Sequence, residues 1–251
     1  MQAFFTLVRR ELAAYFVSVT GYIIIGAAAF LMGWSFDLLL GILQSEPTAR
    51  PLTEIFYDTF MFWIILLLLA PVITMRLFAQ EKAAGTFETL MTTPVSDVQV
   101  VLAKFTGAYI FFMVMWLPLL ACLWIVRHLG GSPVGLDAGA LASTFLGIFL
   151  LGAVFIALGC LTSAITRTQM VAAMVSLAAG FSLFMATFLP DRVVADGGGW
   201  RDQLVSCLAF QDQMRDFARG AVDTRPIVFY LALTFFLLFL TLRVVESRRW
   251  K

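Results

Sequence analysis

Residues able to do chemistry are few in this sequence, and they are scattered. The single histidine, His128, stands at the end of an apolar run with no partner at metal-ligand spacing, so it reads as an interfacial polar residue. Cys122 and Cys160 lie inside apolar runs, where a thiol behaves as a small hydrophobe. Cys207 is alone in a polar stretch, and three cysteines make no disulfide framework. There is no zinc-protease motif, no Ser/His pair inside an apolar run, and no G-x-x-x-x-G-K-[ST] loop to cradle the phosphates of ATP. Scattered basic residues argue against nucleic-acid binding. The sequence therefore predicts no catalytic, metal-binding or cofactor-binding residue. One carboxylate, Asp37, interrupts a long apolar run, which makes it a functional candidate. It lies toward one end of that run, so a place on a transport pathway and an exposed helix end both fit it.

The elements around these residues are apolar. Of 251 residues, 61% are hydrophobic and 13% charged, with a mean hydropathy of +0.92. A soluble domain carries about 25% charged residues, so this chain has too little charge to cover a surface facing water. A span needs about 20 apolar residues. Six runs qualify, at about 18–43, 60–78, 104–127, 140–165, 169–189 and 226–243. They are long and continuous, which selects helices over membrane strands. The expected fold is an all-α integral membrane protein, one domain over 1–251. The first run extends past Ala27-Ala28-Ala29 to Leu43, too long for a cleaved signal segment.

With the N-terminus in the cytoplasm, ten basic and five acidic residues fall inside, and seven basic and eleven acidic residues outside. That asymmetry favours both termini being cytoplasmic. Phe4, Phe5, Val8, Leu12, Tyr15 and Phe16 recur at helical spacing, which predicts an interfacial helix over 3–16. In the outer loop 190–225, Gly197-Gly198-Gly199 precedes a second such pattern: Leu204, Cys207, Phe210, Met214, Phe217 and Ala221. That helix either rests on the outer interface or dips into the bundle, and Phe210, Met214 and Phe217 are candidates for a gate. Small residues form two seams, Gly26-Ala29-Gly33 in the first run and Ala172-Ser176-Gly180 in the fifth. Packing within one subunit and pairing of two subunits explain such seams equally well.

The most informative stretch lies between the second and third runs: Gln80-Glu81-Lys82-Ala83-Ala84-Gly85-Thr86-Phe87-Glu88-Thr89-Leu90-Met91-Thr92-Thr93-Pro94-Val95-Ser96. It prolongs the second run and permits a break at Gly85. A short helix can start there with Thr86 as N-cap, and Pro94 ends it. Ser96 or Asp97 then caps the helix leading into the third run. Mixed charged and apolar residues suit docking onto a soluble partner; an ordinary connector would look similar.

This stretch, with Lys104 after it, resembles the hallmark of type-2 ABC exporter permeases, and the resemblance extends along the chain through the six runs and the outer loop. The segments Phe217–Arg225 and Glu246–Trp250 resemble one branch, the gliding-motility-type permeases. The resemblance implies that two permease subunits, identical or homologous, form the pathway in the bacterial cytoplasmic (inner) membrane. Two copies of a separate ATPase subunit bind beneath and hold the ATP and Mg; an additional envelope subunit is compatible with the pattern. The segment 79–98 becomes the coupling segment, with Glu81, Lys82, Gly85, Thr86, Glu88, Thr89, Leu90, Thr93 and Pro94 as ATPase-coupling residues. Glu81, Lys82 and Glu88 would form the charged contacts that carry motion. Two other functions stay open: mechanical work on an envelope partner without substrate flux, and a secondary carrier. The latter would need a midplane ion site or inverted repeats, and neither is evident.

Overall fold

Lipid offers no hydrogen bonds, so a chain that enters it must satisfy its own backbone, and a helix does so within one segment. The computed structural model describes residues 2–45, 52–86, 95–129, 138–188 and 208–247, and among these there is no strand. In chain order the helices are α1 (Gln2–Phe16), α2 (Val19–Ser45), α3 (Leu52–Asp58), α4 (Phe60–Thr74), α5 (Ala79–Ala83) and α6 (Asp97–Met115). Then follow α7 (Leu117–Leu129), α8 (Ala138–Ile165), α9 (Gln169–Met185) with a 3-10 turn over Ala186–Phe188, α10 (Phe210–Ala218) and α11 (Thr224–Ser247). Six stretches are long and apolar enough to cross a membrane: Val19–Gly41, Phe60–Ala83, Asp97–Ile125, Ala138–Ile165, Gln169–Phe188 and Thr224–Ser247. The all-helical, six-span architecture expected from the sequence is the one observed.

The sixth span outlasts its apolar run. Arg243 and Glu246, one turn apart, pair at 3.0 Å and continue the helix to Ser247. Two other spans are interrupted. Pro118 has no N–H to give and crowds the carbonyl four residues back, so α6 stops at Met115 and α7 restarts at Leu117. Pro71 lies inside α4, which gives way to a turn over residues 75–78 before α5 begins. In that turn the Leu77 N–H bonds the Thr74 carbonyl at 3.1 Å, and the Ile73 carbonyl instead accepts from the Tyr15 hydroxyl at 2.8 Å. Burial raises the Tyr15 phenol pKa, which keeps it a donor.

α4 and α8 form the centre. Their apolar stretches are 61% and 67% buried, against 28%, 28% and 22% for α2, α9 and α11. Small residues on α8 allow this. A Cβ on Gly152 would collide with the Phe112 ring, and one on Gly159 with the Thr74 side chain. The fifth-span seam is spent in the same way, since Ala172, Ser176 and Gly180 are buried, with Gly180 facing Phe155 and Leu67. The first-span seam is different. Gly26 and Gly33 are exposed, and a Cβ on either would meet nothing within 4 Å.

Candidate functional site

The loop between the second and third spans leaves from α5 and returns through α6, so side chains on those two helices decide what it is attached to. Lys104 on α6 has a side chain only 3% exposed, and its ammonium is shared by two carboxylates. The Nζ to Oε1 distances are 2.8 Å to Glu81 on α5 and 3.1 Å to Glu11 on α1. The Phe78 ring lies 5.5 Å from the same ammonium. Arg10, half exposed, closes the cluster from outside, reaching Glu11 at 3.1 Å and Glu81 at 3.2 Å. Two cations thus meet two anions where α1, α5 and α6 converge. Gly107 makes room for it, because a Cβ there would stand 2.9 Å from the Glu11 Cβ. A buried charge is tolerable only when paired and hydrogen-bonded, so the pairing fixes the relative positions of three helices.

A second attachment runs from α5 to α8. The last carbonyls of a helix have no partner within it. The Lys82 ammonium takes those of Ser163 and Thr166, at 3.5 and 3.2 Å, and that of Ala164. In return the Ser163 hydroxyl accepts from the N–H groups of Phe78 and Ala79, at 3.1 and 3.2 Å, at the start of α5. Each helix caps the other. The positive charge at the C-terminal end of α8 also suits the helix dipole. Arg76 adds a further tie, with its guanidinium on the Thr20 hydroxyl of α2 and the Gln80 amide oxygen, the latter at 3.2 Å.

Beyond Lys82 the chain turns at Gly85, whose φ of 71° is the left-handed conformation that ends many helices. The Thr86 hydroxyl reaches back to the Glu81 carbonyl at 3.4 Å. On the return, Ser96 caps α6: its hydroxyl accepts from the Gln99 N–H at 3.3 Å, with Asp97 in the first turn.

At the opposite end of the bundle, α10 lies on α8. Its apolar face, Phe210, Met214, Phe217 and Ala218, is buried. Gly147 of α8 provides the seat; a Cβ there would approach the Met214 sulfur to 3.1 Å and Phe217 to 3.2 Å. Ser143 donates to the Phe217 carbonyl at 2.6 Å, and Phe210 stacks on Tyr230 of α11 with ring centroids 5.8 Å apart. α3 joins this cap. The buried Glu54 carboxylate receives Arg219 in a fork of 2.6 and 3.1 Å, and the Tyr57 hydroxyl donates to the Thr144 carbonyl at 2.8 Å. Burial pushes the Tyr57 phenol pKa well up, so it stays protonated as that donor.

The residues singled out in the sequence are thus distributed between the two ends. Glu81 and Lys82 turn their charges onto their own subunit, and Gly85 and Thr86 start the exposed part of the loop. Glu88, Thr89, Leu90, Thr93 and Pro94 lie outside the described residues, as does Cys207. Phe210, Met214 and Phe217 pack against α8 and α11, and Asp37 is exposed on α2. Sequence reasoning missed Glu11 as a partner of Lys104, and missed Glu54 with Arg219. The signal for Glu11 was present: it shares a helix face with Val8 and Tyr15, both buried. Lys104 likewise interrupts a run that is apolar on both sides, Val100 to Ala103 and Phe105.

A model of the ABC-2 family transporter protein matches residues 11–219. This chain belongs to the ABC-2 transporter family. The match begins at Glu11 and ends at Arg219, so it contains both ion-paired ends described above. Members of this ABC-2 family are membrane subunits of ABC transporters and work with an ATPase subunit. The segments that suggest the gliding-motility-type branch, Phe217–Arg225 and Glu246–Trp250, lie almost wholly beyond the matched region. No curated protein matches the chain.

Proposed function

We propose that this chain is the permease subunit of an ATP-driven exporter in the bacterial cytoplasmic membrane, with both termini inside. Two permease subunits form the pathway, and a separate ATPase, in two copies, binds ATP and Mg beneath them. The segment from about Thr86 to Thr93 is the coupling helix. The observation that carries this reading is the double attachment of the loop. The cluster of Lys104 with Glu81 and Glu11 ties both arms of the loop to α1, and the exchange of caps between Lys82 and Ser163 ties α5 to the central helix α8. A push on a loop held in this way moves α1, α5, α6 and α8 together and is not absorbed locally. Glu81 and Lys82 accordingly act inside the subunit as positioning residues, and Glu88 is left as the acidic residue of the loop that meets the ATPase. α3 and α10 close the outer end of the pathway.

Purification of the tagged subunit from native membrane in mild detergent, with mass spectrometry and an ATPase assay, tests the reading. It predicts a Walker-motif ATPase at near 1:1, lost in the Gly85→Pro and Glu88→Ala variants. Absence of any ATPase across several gentle extractions would contradict it. Flux into liposomes measured beside ATP hydrolysis separates export from mechanical work on an envelope partner.

A further inference from the structure

The outward face of α2 carries a carboxylate, Asp37, six residues before the end of its apolar run. Thr20 holds Arg76 near one end of this helix, and the apolar sequence continues beyond Asp37 through Leu38–Leu43. Those six residues cover about 9 Å at 1.5 Å per residue, more than a short carboxylate side chain can reach along the helix. Asp37 is nevertheless exposed, and among the described residues it has no hydrogen bond or ion pair. A carboxylate facing acyl chains is unfavourable, so ionisable groups at such depth face a cavity or a partner of opposite charge.

Its neighbours have a chemistry of their own. Phe30, Gly33, Trp34 and Asp37 line one open concavity on this face. Phe30 is 67% and Trp34 49% exposed, and their ring centroids are 6.2 Å apart. Gly33 keeps the floor low, since nothing stands within 4 Å of where its Cβ would be. Two aromatic faces beside one carboxylate suit an organic cation: the rings attract a diffuse positive charge through their quadrupoles and cover its apolar groups, and the carboxylate supplies the counter-charge. An anionic or strongly hydrated ligand would gain from neither.

We propose that Phe30, Trp34 and Asp37 form a docking site for the cationic group of an amphiphile, one in which a quaternary ammonium or similar diffuse cation is joined to an apolar body. This rests on the reading of the chain as a permease, and it names the substrate class. The site lies in the half of the bundle nearer α3 and α10, so it receives the cation close to the capped end of the pathway. The unpartnered face of α2 is then a wall of that pathway.

The test uses the full-length protein with its co-purified ATPase in nanodiscs, and two probes of nearly equal size and opposite charge, tetraphenylphosphonium and tetraphenylborate. Binding to empty nanodiscs is subtracted. The wild type is expected to retain the phosphonium and not the borate. Asp37→Asn is expected to weaken phosphonium binding by about tenfold or more, and Trp34→Ala by several-fold, with both variants still monodisperse and still carrying the ATPase. Equal binding of the two probes would overturn the proposal, because an apolar surface alone would then suffice. So would an unchanged affinity in Asp37→Asn. Failure of any ATPase to co-purify would count against the permease reading and not against this site, because probe binding is measured whether or not the ATPase is present.

Discussion

Each end of the bundle buries one charged member of an ion pair, the Lys104 ammonium at the α1 end and the Glu54 carboxylate at the α10 end, but the pairs hold different things. At the α1 end, Lys104 joins helices that are far apart in sequence, and ion pairs and exchanged hydrogen bonds bracket a loop. At the α10 end, the fork between Arg219 and Glu54 is the rim of an apolar seat made by Phe210, Met214, Phe217 and Gly147. Polar ties are directional and resist small displacements of one helix against another. Apolar packing holds a cap down while leaving it able to slide or lift. The first arrangement suits transmission of force, and the second suits a lid.

The strongest way to break this contrast is Lys104→Ala, which leaves two largely buried carboxylates with only the half-exposed Arg10 as their cation. Removing one partner of a buried pair costs about 3–5 kcal/mol. We expect a large fall in melting temperature in detergent, partly recovered in a variant that combines Lys104→Met with Glu11→Gln and Glu81→Gln. That second variant should fold without transmitting. At the other end, Phe217→Ala empties the seat of α10 at a cost of about 3 kcal/mol or more. It should destabilise the protein while ATPase binding persists, and binding to the purified ATPase checks this. A smaller effect is expected at the exchanged caps. Lys82→Met or Ser163→Ala should each cost about 1 kcal/mol in thermal stability, and less than their sum in the double variant, because both act on the same joint. The smallest belongs to Arg10→Ala. An exposed ion pair contributes about 0–1 kcal/mol, so this variant should differ little from wild type in a salt-dependent melting series. If Arg10→Ala proved as damaging as Lys104→Ala, the cluster would be organised from its surface and not from its buried lysine.

Much of the fold was legible in the sequence because a membrane span is a matter of length and apolarity, and six runs satisfied both. The break at Pro118 follows from a missing N–H, and the turn at Gly85 from a left-handed φ. The site was legible as a stretch of sequence but not as a set of contacts. Glu81 and Lys82 were read as charges meant for a partner, because a motif shows which residues recur and not which way they face. Glu81 pairs with Lys104, 23 positions on, and with Arg10, 71 positions back, while Lys82 reaches the Ser163 carbonyl, 81 positions on; only the packing of α1, α6 and α8 against the loop arms brings these groups near. The two small-residue seams make the same point. Equal in pattern, one is buried inside the subunit and the other faces outward.

The central claim is that the Lys104 cluster passes the motion of the ATPase to the far end. It is tested most directly by a fluorophore at Val222, exposed beyond α10, with the native cysteines replaced and the complex in nanodiscs. ATP is predicted to change its emission in the wild type. In the variant combining Lys104→Met, Glu11→Gln and Glu81→Gln, ATP should still bind and be hydrolysed while the emission stays unchanged. An equal change in both proteins would contradict the account.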